Sequence, residues 1–204
     1  MTILVGKDEN EWSDLVWTWF HTELQQSQRV FIPSGATALP FYRKMEENPS
    51  TLLKSLSFVQ LDEILTGPLR GSFKNFFQQN LGAYKDQFEW VSSADQPAEA
   101  CVLGVGINGH VAFHEPGLPQ DFTGGCVRLS SETLQYLKLN EPTWAVTYGV
   151  GSFVKAKKVL ILARGEKKKQ VLQAALSSSG GNLPVSWMLK HPNITLITDF
   201  VLQV

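Results

Sequence analysis

The sequence has little of what marks the more specialised classes of protein. Its two cysteines, Cys101 and Cys126, form neither a CxxC pair nor a metal-type cluster. The formal net charge is only -1, so no overall field attracts nucleic acid or an anionic membrane. No apolar run approaches the roughly 18 residues of a membrane helix, and the N-terminus has no signal-peptide pattern. We therefore expect a reduced, cytoplasmic protein without nucleic-acid or membrane partners.

What is present is the composition of an ordinary globular chain. The 204 residues are 43% hydrophobic, 18% charged and 11% aromatic. A chain of this length suits one domain, here residues 1–204, with a substantial apolar core. The six tryptophans can fill that core or form an interface, so both a monomer and a small homo-oligomer remain open.

Short apolar strands alternate with amphipathic helical segments along the chain. Strands are predicted at 29–32, 56–61, 100–103, 158–163 and 194–198, and residues 145–148 are expected to lead into a short turn. Helices are predicted at 12–26, 39–46, 73–81, 167–177 and 185–189. This alternation indicates an α/β protein with a mainly parallel sheet.

Four of these strands lead into polar or glycine-rich sequence, at 34–37, 62–63, 104–115 and 165–168. In open α/β sheets, ligands bind beyond the carboxyl ends of the strands. The pattern therefore predicts that these four segments meet at one site.

The first segment, Ser34-Gly35-Ala36-Thr37, is a turn between a strand and a helix. Backbone N–H groups at a helix N-terminus suit a phosphate. An ordinary N-cap explains the same residues. Lys168, in the first turn of a later helix, similarly suits either an anion ligand or an exposed lysine of a basic triplet.

Asp62 and Glu63 directly follow an apolar strand. A carboxylate at a strand end in a cleft can act as a general base, and adjacent acids can equally be solvated caps. In the third segment, His110 precedes Glu115 on a glycine-dense loop. A carboxylate beside an imidazole fixes its tautomer and raises its basicity.

Two other interpretations of the glycine-rich segment are weaker. His110, His114 and Glu115 are metal-ligand types, but no further histidine or cysteine stands near a strand end to complete the shell. The spacing Gly104-x-Gly106-x-x-Gly109 matches a dinucleotide fingerprint, but it lies mid-chain without a strand-end acid at the usual distance.

Residues 104–117 read Gly-x-Gly-x-Asn-Gly-His-x-Ala-Phe-x-Glu-Pro-Gly, and this segment resembles the signature of glucosamine-6-phosphate deaminases (isomerases). Further similar segments follow the family's order at 33–37, 58–63, 145–151, 165–168 and 189–193. The resemblance covers residues 30–198. It implies a Rossmann-like three-layer α/β sandwich, which that family shares with 6-phosphogluconolactonases.

The resemblance also implies a role for each matched residue. Asp62 would move a proton between C2 and C1 of the open-chain sugar, and His110 would assist ring opening with Glu115 as its partner. The turn at 34–37 would cradle the phosphate and Lys168 would grip it. No metal or organic cofactor is implied. The predicted catalytic residues are Asp62, Asn108, His110 and Glu115, and the predicted substrate-binding residues are Ser34, Gly35, Ala36, Thr37, Glu63, Gly106, Gly109 and Lys168.

The chain departs from the family's pattern at three places. Asn108 stands where many members have Asp, and an amide can orient a histidine but cannot take up a proton. His114 stands where Asn is usual, which suggests altered sugar recognition. No arginine aligns with the family's phosphate-binding arginine, and Arg128 and Lys138 remain open as substitutes.

The implied activity is conversion of glucosamine 6-phosphate to fructose 6-phosphate and ammonia. Three alternatives remain open: a 6-phosphogluconolactonase, a galactosamine-6-phosphate isomerase, and a non-catalytic sugar-phosphate-binding protein. The Phe113-x-Glu115-Pro116 ending favours the amino-sugar enzymes. The joint presence of Asp62, His110, Glu115 and Lys168 favours catalysis.

Overall fold

A computed structural model describes residues 1–92, 97–177 and 181–203. The strands in these ranges are β1 (Thr2–Val5), β2 (Arg29–Ile32), β3 (Ser57–Gln60), β4 (Asp62–Ile64), β5 (Phe88–Glu89), β6 (Ala100–Gly104), β7 (Gly124–Arg128), β8 (Trp144–Tyr148), β9 (Lys158–Ala163) and β10 (Ile194–Thr198). The helices are α1 (Glu9–Glu23), α2 (Leu39–Glu47), α3 (Thr51–Ser55), α4 (Ser72–Asn80), α5 (Ser131–Tyr136), α6 (Val150–Phe153), α7 (Glu166–Leu176) and α8 (Pro184–Met188), with a 3₁₀ segment at Gly82–Gln87.

Seven strands form one sheet in the order β1-β10-β9-β6-β2-β3-β5, and every neighbouring pair is parallel. The central strands β6 and β9 are buried along almost their whole length. Their continuous apolar sequence is what a strand covered on both faces requires. The predicted α/β fold with a mainly parallel sheet is confirmed.

Helices cover both faces of this sheet, because alternate side chains of each strand point to opposite sides. In β2, Val30 and Ile32 enter one core and Phe31 enters the other. Helices α1, α2 and α4 contribute buried side chains to the first core, among them Trp12, Phe20, Phe41, Met45 and Phe77. The second core is built with α6, α7 and α8: Phe153, Leu172, Val185 and Met188. The result is the predicted three-layer sandwich.

A second, antiparallel sheet of order β4-β8-β7 was not predicted. The chain leaves β3 at Gln60 and enters β4 at Asp62, with Leu61 alone between the two sheets. Asp62 pairs with Thr147 of β8, and Tyr148 donates its N–H to the Leu61 carbonyl at 3.0 Å. Asp62 therefore begins a hydrogen-bonded strand, whereas the sequence suggested only that it follows one.

None of the helices in the described part of the chain combines the length and apolar character needed to cross a bilayer.

Candidate active site

The four segments predicted to meet do follow four adjacent strands, β9, β6, β2 and β3. Between them lies a cleft of about 190 Å³. Eight of the predicted site residues line it: Ser34, Gly35, Ala36, Thr37, Asp62, Gly106, His110 and Lys168. The cleft thus joins an exposed turn, a buried carboxyl, an imidazole and an ammonium group.

The turn after β2 has the geometry of an anion site. Gly35 has φ of +110°, a conformation that other residues rarely adopt. The Tyr42 hydroxyl donates to the Pro33 carbonyl at 2.6 Å and anchors the turn to α2. Within the described residues, the backbone N–H groups at 34–37 have no protein acceptor. Free N–H groups beside a helix N-terminus suit a phosphate.

Lys168 faces this turn from the first part of α7. Its ammonium donates to the Val105 carbonyl and lies 5.9 Å from the centre of the Tyr136 ring. Throughout the described ranges, no carboxylate pairs with it. Burial lowers the pKa of Lys168 to about 8. An incompletely neutralised cation beside free N–H groups makes this end of the cleft attractive to an anion.

Asp62 lies in the wall of the cleft and is only 6% exposed. Burial, assisted by the neighbouring Glu63 charge, raises the pKa of Asp62 to about 8. In the described structure no group donates a hydrogen bond to its carboxylate. A carboxyl group with a pKa near neutrality is matched to proton transfer at neutral pH.

Glu63 takes a different place from its neighbour and does not line the cleft. Its carboxylate accepts hydrogen bonds from the backbone N–H groups of Ile64, Phe73 and Lys74 at 2.8, 3.1 and 2.7 Å. Two of these donors belong to the first turn of α4, where free N–H groups and the helix dipole favour a carboxylate. Its position therefore supports a structural role in holding α4 against β4.

His110 is held in the glycine-rich loop by Gly106 and Asn108. Its imidazole lies directly on Gly106, where an added Cβ would come within 2.3 Å of Nε2. The side-chain oxygen of Asn108 accepts the His110 backbone N–H at 3.2 Å. Gly109 closes the loop with φ of +83°, packed against Leu183. Gly109 and Asn108 therefore shape the loop from outside the cleft.

Glu115 lies behind His110, with its Oε2 at 3.5 Å from Nδ1 of the ring. The amide nitrogen of Asn108 donates to the same oxygen at 3.0 Å. Burial acts to raise the pKa of Glu115, but His110 and Asn108 outweigh it and lower the pKa to about 2. Glu115 is therefore ionised at neutral pH, and its negative charge beside Nδ1 favours a proton on that nitrogen.

The residues at which the chain departs from the family's pattern do not line the cleft. His114 is fully buried, with its ring against Phe122 and Trp187, and its Nδ1 accepts the Val150 N–H at 3.0 Å. Its place in the interior does not support the suggested role in sugar recognition. Arg128 and Lys138 are also outside the cleft, so neither supplies the substitute cation there.

Several cleft residues were not predicted from the sequence, and four of them lie on or next to α5. The missed set includes Phe73, Ile107, Phe113, Glu132, Thr133, Tyr136 and Leu137. A signal for α5 was available: Ser130 is a good N-cap residue and Glu132 favours the first turn. The helix is only six residues long, so its periodicity is too short to recognise.

Among the described residues, no group of three or more His, Cys, Asp and Glu side chains is arranged to hold a metal ion. His110 and Glu115 contact each other directly, and His114 points elsewhere.

The fold is α/β, and a cleft at the strand ends combines a turn with free N–H groups, a lysine, an imidazole and a buried carboxyl group of raised pKa. The chain belongs to the family of glucosamine-6-phosphate isomerases and 6-phosphogluconolactonases, which matches residues 68–197. A glucosamine-6-phosphate deaminase of Streptococcus pneumoniae is 30% identical over 85% of each chain. The family resemblance of the sequence is confirmed.

Solved structures share the fold over nearly the whole chain. A monomeric glucosamine-6-phosphate deaminase, 20% identical, superposes with a TM-score of 0.78 over 97% of each chain. The 6-phosphogluconolactonase of Trypanosoma brucei, 17% identical, gives 0.74 over 97% of this chain and 95% of that one.

Proposed function

We propose that this chain is a glucosamine-6-phosphate deaminase, which converts glucosamine 6-phosphate and water to fructose 6-phosphate and ammonia. One observation carries the proposal: a buried Asp62, whose carboxyl group has no hydrogen-bond donor in the described part of the chain, shares a cleft with His110 and with a turn of free N–H groups, and Glu115 lies directly behind His110. The curated relatives with the same name support it.

The phosphate would bind the N–H groups at 34–37 and the Lys168 ammonium, which fixes the sugar along the cleft. Nε2 of His110 would then exchange a proton with the ring oxygen and open the ring. Glu115 stabilises the charge that develops on His110.

Asp62 would take the C2 proton of the open aldehyde and return it to C1, while a second proton passes from the amino nitrogen to the C1 oxygen. This transfer converts the aldose amine to the imine of the ketose. Water adds to the imine carbon to give a carbinolamine; its hydroxyl proton passes to the nitrogen, the C–N bond breaks, and ammonia and the ketone are released. A base with its pKa near neutrality suits the abstraction of a weakly acidic C–H proton.

Purified protein incubated with glucosamine 6-phosphate should release ammonia and fructose 6-phosphate in equal amounts. Asp62→Asn should lower kcat by about 10²–10⁴-fold, because it removes the base but keeps the shape. Calorimetric binding of fructose 6-phosphate should persist in this variant. Asp86→Asn, at an exposed position outside the cleft, is the matched control and should behave like the wild type.

A folded wild-type protein that makes no ammonia would refute the deaminase proposal. Unchanged turnover in Asp62→Asn would remove Asp62 from the mechanism. Because lactonases share the fold, 6-phosphogluconolactone should be assayed in parallel. Galactosamine 6-phosphate should be included as the competing amino-sugar substrate. Binding without any turnover would identify a non-catalytic sugar-phosphate-binding protein.

The proposal includes a single domain over residues 1–204, acting in the cytoplasm as a monomer or small homo-oligomer. The near-zero net charge supports the absence of a nucleic-acid partner. The proposed reaction consumes water, which makes the enzyme a hydrolase as well as an isomerase by mechanism. The proposed proton transfers are made by Asp62 and His110, and we propose no metal or organic cofactor.

A further inference from the structure

The imidazole of His110 faces two oxygen atoms through Nδ1. The nearer one is the hydroxyl of Thr133, at 3.3 Å, and Oε2 of Glu115 lies at 3.5 Å. A separation of 3.5 Å is at the outer limit of a hydrogen bond, so Glu115 alone holds the ring loosely. The Thr133 side chain is the better placed of the two partners.

Thr133 is a buried polar residue, only 2% exposed, and it comes from the first turn of α5. Ser130, the N-cap of the same helix, lies 3.1 Å from Oε2 of Glu115 and 3.2 Å from the Thr133 hydroxyl. The backbone N–H of Thr133 donates to the Ser130 hydroxyl at 3.2 Å. The start of α5 therefore places two hydroxyl groups between His110 and Glu115.

We infer that Thr133 is a positioning residue for His110: its hydroxyl accepts the Nδ1–H and fixes the tautomer that leaves a lone pair on Nε2. The proton of the Thr133 hydroxyl can then be donated to the Ser130 hydroxyl at 3.2 Å, and the Ser130 hydroxyl can donate to Oε2 of Glu115 at 3.1 Å. These two hydroxyl groups connect Nδ1–H of His110 to Glu115 where the direct contact is long. The catalytic consequence rests on the proposed function.

Asn108 explains why a bridging hydroxyl matters in this chain. Its amide contacts the backbone of His110 and the carboxylate of Glu115, so it supports both ends of the pair without meeting the ring nitrogen. An amide there cannot accept and release a proton. The ring is therefore oriented by Thr133 and Glu115.

Thr133→Val tests this role because it removes the hydroxyl and keeps the branched shape. We expect kcat to fall about 10–100-fold with KM changed less than about threefold, since misplacing a catalytic group costs about this much. Thr133→Ser restores the hydroxyl and should recover most of kcat. Thr143→Val is the matched control, because Thr143 is equally buried but its hydroxyl bonds the Glu141 carbonyl outside the cleft.

The resting protein provides a readout that needs no turnover. The ¹⁵N chemical shifts of His110 should show a proton on Nδ1 in the wild type and in Thr133→Ser. They should show a mixture of both tautomers in Thr133→Val. If wild-type protein releases no ammonia from glucosamine 6-phosphate, the proposed function fails, and this comparison still decides the role of Thr133.

Two results would overturn the inference. One is an Nε2–H tautomer in the wild type, which would mean that the hydroxyl donates to Nδ1. The other is a Thr133→Ser variant as impaired as Thr133→Val, which would assign the effect to packing of the methyl group. Should Thr133→Val not fold, Thr133→Ala removes the same hydroxyl and is compared with Thr133→Ser in its place.

Discussion

At the residue scale, Asp62 and Lys168 share an unusual property: both have a pKa of about 8. The cause is the same, because burial favours the neutral form of each group. It raises the pKa of a carboxyl group and lowers that of an amine. The proposed base and the proposed phosphate ligand therefore titrate over the same range of pH.

The pH dependence of kcat/KM should accordingly be a narrow bell with its maximum near pH 8. Below that pH, activity falls because Asp62 retains its proton; above it, activity falls because Lys168 loses its charge. The measurement is kcat/KM for glucosamine 6-phosphate from about pH 6 to about pH 10. In Lys168→Arg the alkaline limb should disappear, since a guanidinium stays charged. A wild-type profile that is flat across this range would contradict the assignment of both groups.

Whether the role of a residue could be predicted from the sequence depends on how far along the chain its contact partners lie. Asp62, His110 and Lys168 could be placed near one another because each follows a strand, and strand ends of a parallel sheet share an edge. Glu63 could not be assigned, because its partners are backbone N–H groups of α4, ten residues further on. His114 could not be assigned because its burial depends on Phe122 and Trp187, which fold against it from elsewhere.

At the scale of single elements, α5 has two functions. Its Glu132, Thr133 and Tyr136 line the cleft, and its N-cap Ser130 holds Glu115. Such a short helix contributes little stability by itself. Its position depends on its cap and on the contacts that it makes with the cleft.

Ser130→Ala should therefore affect both stability and catalysis. Loss of the N-cap should cost about 1 kcal/mol of unfolding free energy, and loss of the bond to Glu115 should lower kcat. Ser50→Ala is the matched control: Ser50 caps α3 through the Leu53 N–H at 3.2 Å and lies outside the cleft. The Ser50→Ala variant should lose a similar unfolding free energy, measured by urea unfolding, and its kcat should remain that of the wild type. Equal kcat in the two variants would argue against a link between α5 and the acid–base pair.

The second sheet shows why other elements escaped prediction. Strand β4 has only three residues, and β7 begins with two glycines at positive φ. Neither has the alternation of apolar and polar residues over four or more positions that identifies a strand. Their pairing with β8 is set by tertiary contacts, and β8 alone carried a recognisable apolar run.

At the scale of the whole molecule, the class of fold was predictable and the order of the strands was not. Alternating strands and helices imply parallel pairing, because each helix carries the chain back to the end of the sheet at which the previous strand began. The position of β1 beside β10 depends on which strand each connection places next to which. The sequence of the first five residues contains no signal for this pairing.

A ligand that bridges several strand ends should stabilise the whole molecule. With fructose 6-phosphate at 100 times its Kd, the Asp62→Asn protein should gain about 2.7 kcal/mol, or roughly 5–10 °C in Tm. Differential scanning calorimetry measures this shift without interference from turnover. Inorganic phosphate should give a smaller shift through the same turn. In Lys168→Ala both shifts should shrink; undiminished shifts would place the phosphate elsewhere.

The junction at Leu61, the single residue between β3 and β4, influences which parts of enzymes with this fold can vary during evolution. Asp62 is fixed by ladders on both sides of that junction, whereas α5 is a short helix at the rim, held by its cap, by a few hydroxyl groups and by Leu134, which packs on a small apolar cluster. The proposed proton-transferring group therefore belongs to the rigid sheet framework, and the helix over the cleft can be changed by insertion, deletion or grafting without moving it. One scaffold can in this way acquire new substrates while its central base stays in register.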